Sequence, residues 1–154
     1  MSSGQWKMGP MTDQEAASPL DAALARVGDR WALLVVHALL GGPRRFSDLI
    51  EAVPGIAPNI LSQRLKHLEG GGVVTPRPYS ERPPRVSYEL TANGAELAGT
   101  LRLLAQWGAG QSDEAEPLHH GSCGTAVEAR WYCPTCARVI DDDESGASGE
   151  LRFV

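Results

Sequence analysis

Two short segments near the end of the chain carry the residue types that bind metal. His120-Gly121-Ser122-Cys123 is followed, after nine intervening residues, by Cys133-Pro134-Thr135-Cys136. Each has ligand-x-x-ligand spacing around small or turn-forming residues. That spacing bends the backbone so that both side chains face one point, as tetrahedral Zn2+ requires. Three thiolates and one imidazole fill the coordination sphere and leave no place for an activated water, so the expected role of the Zn2+ is structural. His119 is the neighbouring alternative to His120, which is preferred because it reproduces the spacing. All three cysteines of the chain lie in this cluster and cannot pair off within a monomer. In a reducing compartment, clustered cysteines more often hold metal than form bridges.

A second set of chemistry-bearing residues lies on 58–69, Pro-Asn-Ile-Leu-Ser-Gln-Arg-Leu-Lys-His-Leu-Glu. Wound as a helix, this stretch puts Leu61, Leu65 and Leu68 on one face. Asn59, Gln63 and Lys66 take the opposite face, with Ser62 and His67 on the flanks. Amides, hydroxyls and cations arranged this way can meet base edges and phosphates in a major groove. An ordinary amphipathic surface helix has the same pattern, so the flanking elements decide between the two. Arg44 and Arg45 precede the helix, and Arg77, Tyr79, Arg82 and Arg85 follow it in a proline-rich segment. Guanidinium groups beside such a helix suit phosphate or minor-groove contact.

The elements that must position these residues are legible in outline. Ser18-Pro19 is a helix start, with a hydroxyl for the cap and proline where its missing N–H costs nothing. Leu20, Leu24, Val27, Trp31, Leu34 and Ala38 then keep helical spacing, which predicts one long core helix ending at Gly41-Gly42-Pro43. A short helix follows from about residue 46, with Ser47 as its expected cap, and the turn 55–57 leads into the polar-faced helix. Two short helices joined by a tight glycine-containing turn match a helix-turn-helix. Val73-Val74-Thr75 and 86–90 read as paired strands. The four prolines between them predict a stiff hairpin tip without a regular ladder. Thr91 caps a third long helix over 92–108, striped by Leu97, Leu101 and Leu104, with Leu103 and Trp107 as surplus apolar surface. That surplus predicts a homodimer.

The fold class is therefore mainly α with a small β-wing: a winged helix-turn-helix plus a small C-terminal zinc ribbon. The expected organisation is a frayed terminus over 1–17, with Trp6 as an isolated aromatic, and a DNA-binding and dimerisation domain over 18–110. A linker over 111–117 and a zinc-ribbon-like module over 118–154 complete it, with the segment 126–132 as a ribbon strand. The net charge of −5 divides unevenly. Residues 1–112 carry 11 Lys and Arg against 10 Asp and Glu, and residues 113–154 carry 3 against 9. The acidity sits in the tail, leaving the first segment free to present a basic surface. The run 141–144 reads as a solvated acidic turn. No apolar run approaches a membrane span and no signal peptide opens the chain, so a cytoplasmic protein is expected. Frequent Arg, Ala and Gly suggest a high-GC bacterial genome.

The ordered set Ala25-Arg26-Val27-Gly28-Asp29-Arg30-Trp31, Phe46-Ser47-Asp48-Leu49, 61–68, 85–91 and Gln106-Trp107-Gly108 resembles the HxlR-type family of MarR-like bacterial transcription regulators. The resemblance covers about residues 19–108. It implies a winged helix-turn-helix homodimer, joined through its terminal helices, that binds a double-stranded DNA operator. It also adds Ser62 and Arg64 to the groove-facing residues, although Arg64 lies towards the buried edge of the helical wheel. The tail resembles a zinc-ribbon extension of some actinobacterial relatives. Several family members carry a redox-sensing cysteine in a Cys-Pro step where this chain has Ser18-Pro19, so a thiol sensor there is unsupported. The effector ligand is not specified by any of these features. Two other readings use the same residues: a protein-interaction module recruiting through its ribbon, and a zinc or redox switch. An enzyme is disfavoured, because no nucleophile–base set, phosphate loop or open metal site is present.

Overall fold

The computed structural model describes residues 18–111 and 116–140. The expectations for residues 1–17, including Trp6, and for the acidic run 141–144 lie outside the described residues. Helix α1 spans Pro19–Val27. Ser18 caps it as expected: its Oγ accepts from the Asp21 N–H at 3.1 Å, and the Asp21 carboxylate accepts from the Ser18 N–H in return.

The single helix predicted to run as far as Gly41-Gly42-Pro43 is two helices. The chain breaks at Gly28 and resumes as α2, Arg30–Leu39. Two local features cause the break. A Cβ on Gly28 would stand 2.1 Å from the Leu24 carbonyl oxygen, so the turn requires a residue without a side chain. Asp29 then starts the new helix, its Oδ1 accepting from the N–H groups of Trp31 and Ala32 at 2.8 and 3.1 Å. The break rephases the apolar stripe. Ala32, Val35, Val36 and Leu39 enter the core, while Leu20, Leu24 and Leu34 of the expected stripe stay exposed. Trp31 is half-buried and packs against the core, as expected of core filling.

Arg44–Arg45 forms a short strand, β1, and α3 spans Phe46–Ala52. Its cap residue is Arg45 rather than Ser47, because the Asp48 carboxylate reaches back to accept the Arg45 N–H at 3.0 Å. Helix α4, Pro58–Gly70, begins on proline and buries Leu61, Leu65 and Leu68 in the core, with α2 and α1 among its neighbours. Strands β2, Val74–Glu81, and β3, Pro84–Leu90, pair antiparallel, and the sheet order is β1-β3-β2.

The hairpin is laddered to its tip, contrary to the expectation drawn from its prolines. Pairing runs through Pro76↔Tyr88 and Pro78↔Val86 to Glu81↔Pro84, with one irregularity between Pro78 and Ser80. Strand β2 is the free edge of the sheet, where a missing N–H breaks no ladder bond when it faces outward. Pro84 opens β3, another position that tolerates proline.

The last predicted helix is also interrupted. Thr91 caps α5, Ala92–Ala95, by accepting from the Gly94 N–H at 3.0 Å while donating to the Gly72 carbonyl at 2.6 Å. Helix α6 then runs Leu97–Ala109. Of the expected stripe Leu101 is buried and Leu97 half-buried, but Leu104 is exposed beside Leu103 and Trp107. Beyond it, strands β4, Trp131–Cys133, and β5, Arg138–Ile140, form a separate hairpin. The predicted ribbon strand thus starts at Trp131 rather than at Ala126, which instead makes a lone bridge to His119. Among the described residues no helix is long and apolar enough to cross a membrane.

Gly28→Ala is expected to lower stability by more than about 1 kcal/mol, because its methyl group meets backbone rather than a movable side chain. Urea unfolding followed by circular dichroism measures this, and an unchanged midpoint would show that the turn relaxes freely.

Candidate nucleic-acid interface

Helix α4 presents its polar side outward. Asn59, Ser62, Gln63 and Lys66 are all exposed, while Leu61, Leu65 and Leu68 hold the other face at 1% exposure or less. A helix pinned this way by three leucines keeps its outer side chains in a fixed register.

Arg64 does not join that face. Its Nε lies 2.8 Å from Asp29 Oδ2, with the two side chains 30% and 35% exposed. The Nε proton is not aligned for a hydrogen bond, so the attraction is Coulombic. Asp29 therefore uses one oxygen to start α2 and the other to hold α4. Sequence reasoning missed this residue as a positioning group. The signal was present in the pair Gly28-Asp29, a helix-ending glycine followed by a helix-starting carboxylate.

The arginines around α4 divide by what they already touch. Arg44 Nε donates to the Ala38 carbonyl at 2.8 Å, satisfying the end of α2. Arg77 Nε is paired with Glu89 Oε1 at 2.6 Å across the sheet. The Arg45 guanidinium stacks over the Tyr79 ring, 4.9 Å from its centre, and so ties β1 to the wing. Arg82 and Arg85 at the wing tip are exposed and make no ion pair or hydrogen bond among the described residues. Lys66, Arg82 and Arg85 are thus the cations with least to give up on meeting a phosphate.

The metal-type residues are brought together as two pairs. His120 Nδ1 lies 3.3 Å from Cys123 Sγ, and the Cys136 N–H points to Cys133 Sγ at 3.5 Å. Among the described residues, no three His, Cys, Asp or Glu side chains converge on one ion-sized point. The Thr125 hydroxyl, then the Thr125 N–H and the His120 ring, lower the Cys123 pKa from its ordinary value. Backbone and side-chain hydrogen bonds from Cys136, then the Thr135 N–H, do the same for Cys133.

The family model described as HxlR-like helix-turn-helix matches residues 26–116. The chain belongs to the HxlR-like helix-turn-helix family. Among its relatives, the uncharacterised HTH-type transcriptional regulator Mb3122 of Mycobacterium bovis is 36% identical over 126 residues, covering 77% of each chain. The uncharacterised regulator YtcD of Bacillus subtilis is 37% identical over 90 residues, 58% of this chain and 71% of that one. The crystal structure of YtcD superposes with a TM-score of 0.57 at 36% identity, covering 61% of this chain and 96% of that one. The redox regulator HypR in its reduced form gives 0.59 at 29% identity, covering 62% and 95%. In this HxlR-like chain the hydroxyl of Ser18 is engaged in capping α1, and no thiol stands there.

The two duties of Asp29 separate by substitution. Asp29→Asn keeps a capping oxygen and loses the attraction to Arg64, so its expected cost is about 0.5 kcal/mol. Asp29→Ala loses both, at about 1–2 kcal/mol. Chemical denaturation of the two variants, alone and with Arg64→Ala, checks this; equal costs would mean that only one duty is real.

Proposed function

We propose that the chain is a sequence-specific DNA-binding transcription regulator acting as a homodimer. Helix α4 enters the major groove, with Asn59, Ser62, Gln63 and Lys66 reaching base edges and phosphates. The wing rests on the flanking backbone or minor groove through Arg82 and Arg85. The single observation that carries this reading is the exposed amide-and-cation face of α4 on a spine of buried leucines. Arg45 and Tyr79 support it as a stacked pair at the base of the wing, and Arg44, Arg64 and Arg77 act by holding the frame.

The homodimer reading rests on surface that a monomer would keep covered. Leu20 and Leu24 of α1 and Leu103, Leu104 and Trp107 of α6 are exposed, with Trp107 at 67%. Helix α1 and the start of α6 line one open cleft of about 300 Å3, which makes them neighbours. Two copies joined there would offer two α4 helices to one operator, and half-site spacing would follow from the join.

Electrophoretic shifts against genomic fragments test the reading. Gln63→Ala is expected to cost about 1–3 kcal/mol at the preferred sequence and little elsewhere. Arg82→Ala is expected to weaken binding to every duplex and to reduce the salt-dependence slope by about 1. A complete absence of duplex binding by the native chain would instead favour a protein-interaction module. Trp107→Asp is expected to shift sedimentation from dimer to monomer and to weaken operator binding in parallel. A variant that remains dimeric would remove α6 from the interface.

A further inference from the structure

We propose that His120, Cys123, Cys133 and Cys136 bind one Zn2+ as a closed structural site, and that this ion holds residues 118–140 together against α6. The inference does not depend on DNA binding.

The need for such an ion follows from what the tail lacks. Not one residue from 116 to 140 is buried; Val127, Cys133 and Ile140 reach only half-burial, and Trp131 and Tyr132 lie exposed. A hairpin of two three-residue strands is marginal in water even with an apolar face. Ordered structure of this size without a core requires a staple. Three cysteines leave one thiol over from any disulfide, whereas zinc uses all three.

The local geometry is that of two metal knuckles. His120 Nδ1 and Cys123 Sγ are 3.3 Å apart. Two ligands of one tetrahedral zinc, at about 2.0 and 2.3 Å from the metal, stand roughly 3.5 Å apart. In both segments the residue directly after the second ligand has a left-handed backbone: Gly124 with φ 70° and Ala137 with φ 51°. Ala137 is the only non-glycine residue with positive φ among those described. An alanine held there costs energy that the surroundings must offset. The same turn has therefore been built twice, once without glycine. The Cys136 N–H directed at Cys133 Sγ completes the second knuckle, since such donors steady a metal-bound thiolate.

The two knuckles are carried separately, one on the loop closed by the His119↔Ala126 bridge and the other on the β4–β5 hairpin. Residues 128–130 between them form no ladder, so bringing the pairs onto one ion breaks no strand pairing. The loop is already latched to the helical domain, because Gln106 Nε2 of α6 donates to the Val127 carbonyl at 3.1 Å.

The test uses the full-length chain. Elemental analysis is expected to find about one zinc per chain, and cobalt substitution to give the absorption of a tetrahedral thiolate site. Cys133→Ser and Cys136→Ser lose the metal while keeping the helical circular dichroism of residues 18–111, which make no use of it. Trypsin then cuts at Arg130 and Arg138 in these variants, and in the native chain after chelation, but not in the zinc-loaded chain. His120→Ala loses the ion and His119→Ala keeps it. A native chain without zinc, or one whose zinc and protease resistance survive Cys133→Ser, would overturn the proposal. The reverse histidine result would overturn the ligand assignment. Duplex shifts on the same samples keep the two readings apart: a chain that holds zinc and ignores DNA supports the metal site and removes the regulator.

Discussion

The carboxylate of Asp29 connects two requirements that the fold must meet together. A polar-faced helix reads a duplex only if it stands proud of its domain at a fixed angle, and the three buried leucines set which of its sides turns outward. The Arg64 contact adds a second restraint at the edge of α4, from a residue whose other oxygen starts α2. Because Gly28 admits no side chain, the carboxylate arrives at that place by the geometry of one tight turn. The cation spent there is withheld from the outer face, where Lys66 stands beside Asn59, Ser62 and Gln63.

Much of this was legible in the residues. The spacing of Leu61, Leu65 and Leu68, the caps at Ser18 and Thr91, and the short helix before the glycine turn all follow from local rules that hold in any context. The two helix breaks did not show because apolar spacing runs on across them. Leu20, Leu24 and Leu34 read as one stripe with Val27 until Gly28 rephases the chain. The hairpin was misread for a different reason: proline forbids a central strand, but sequence does not say which strand is the edge.

The fate of individual arginines was the least readable property. Arg77 meets Glu89 and Arg64 meets Asp29 across long stretches of chain, so their neutralisation exists only once the fold has formed. An arginine's type announces affinity for phosphate; its partner decides whether that affinity is available. The same limit applied to the cysteines, where spacing identified each pair but could not show how the pairs are mounted.

The irregularity at Tyr79 has a consequence for the wing as a tool. Alternation along a strand assigns successive side chains to opposite faces, and an extra residue exchanges those assignments from that point outward. Tyr79 leans back to Arg45 while the register resumes at Ser80↔Arg85. The flap is therefore a two-part object, a root locked to the sheet and a tip whose sidedness is reset.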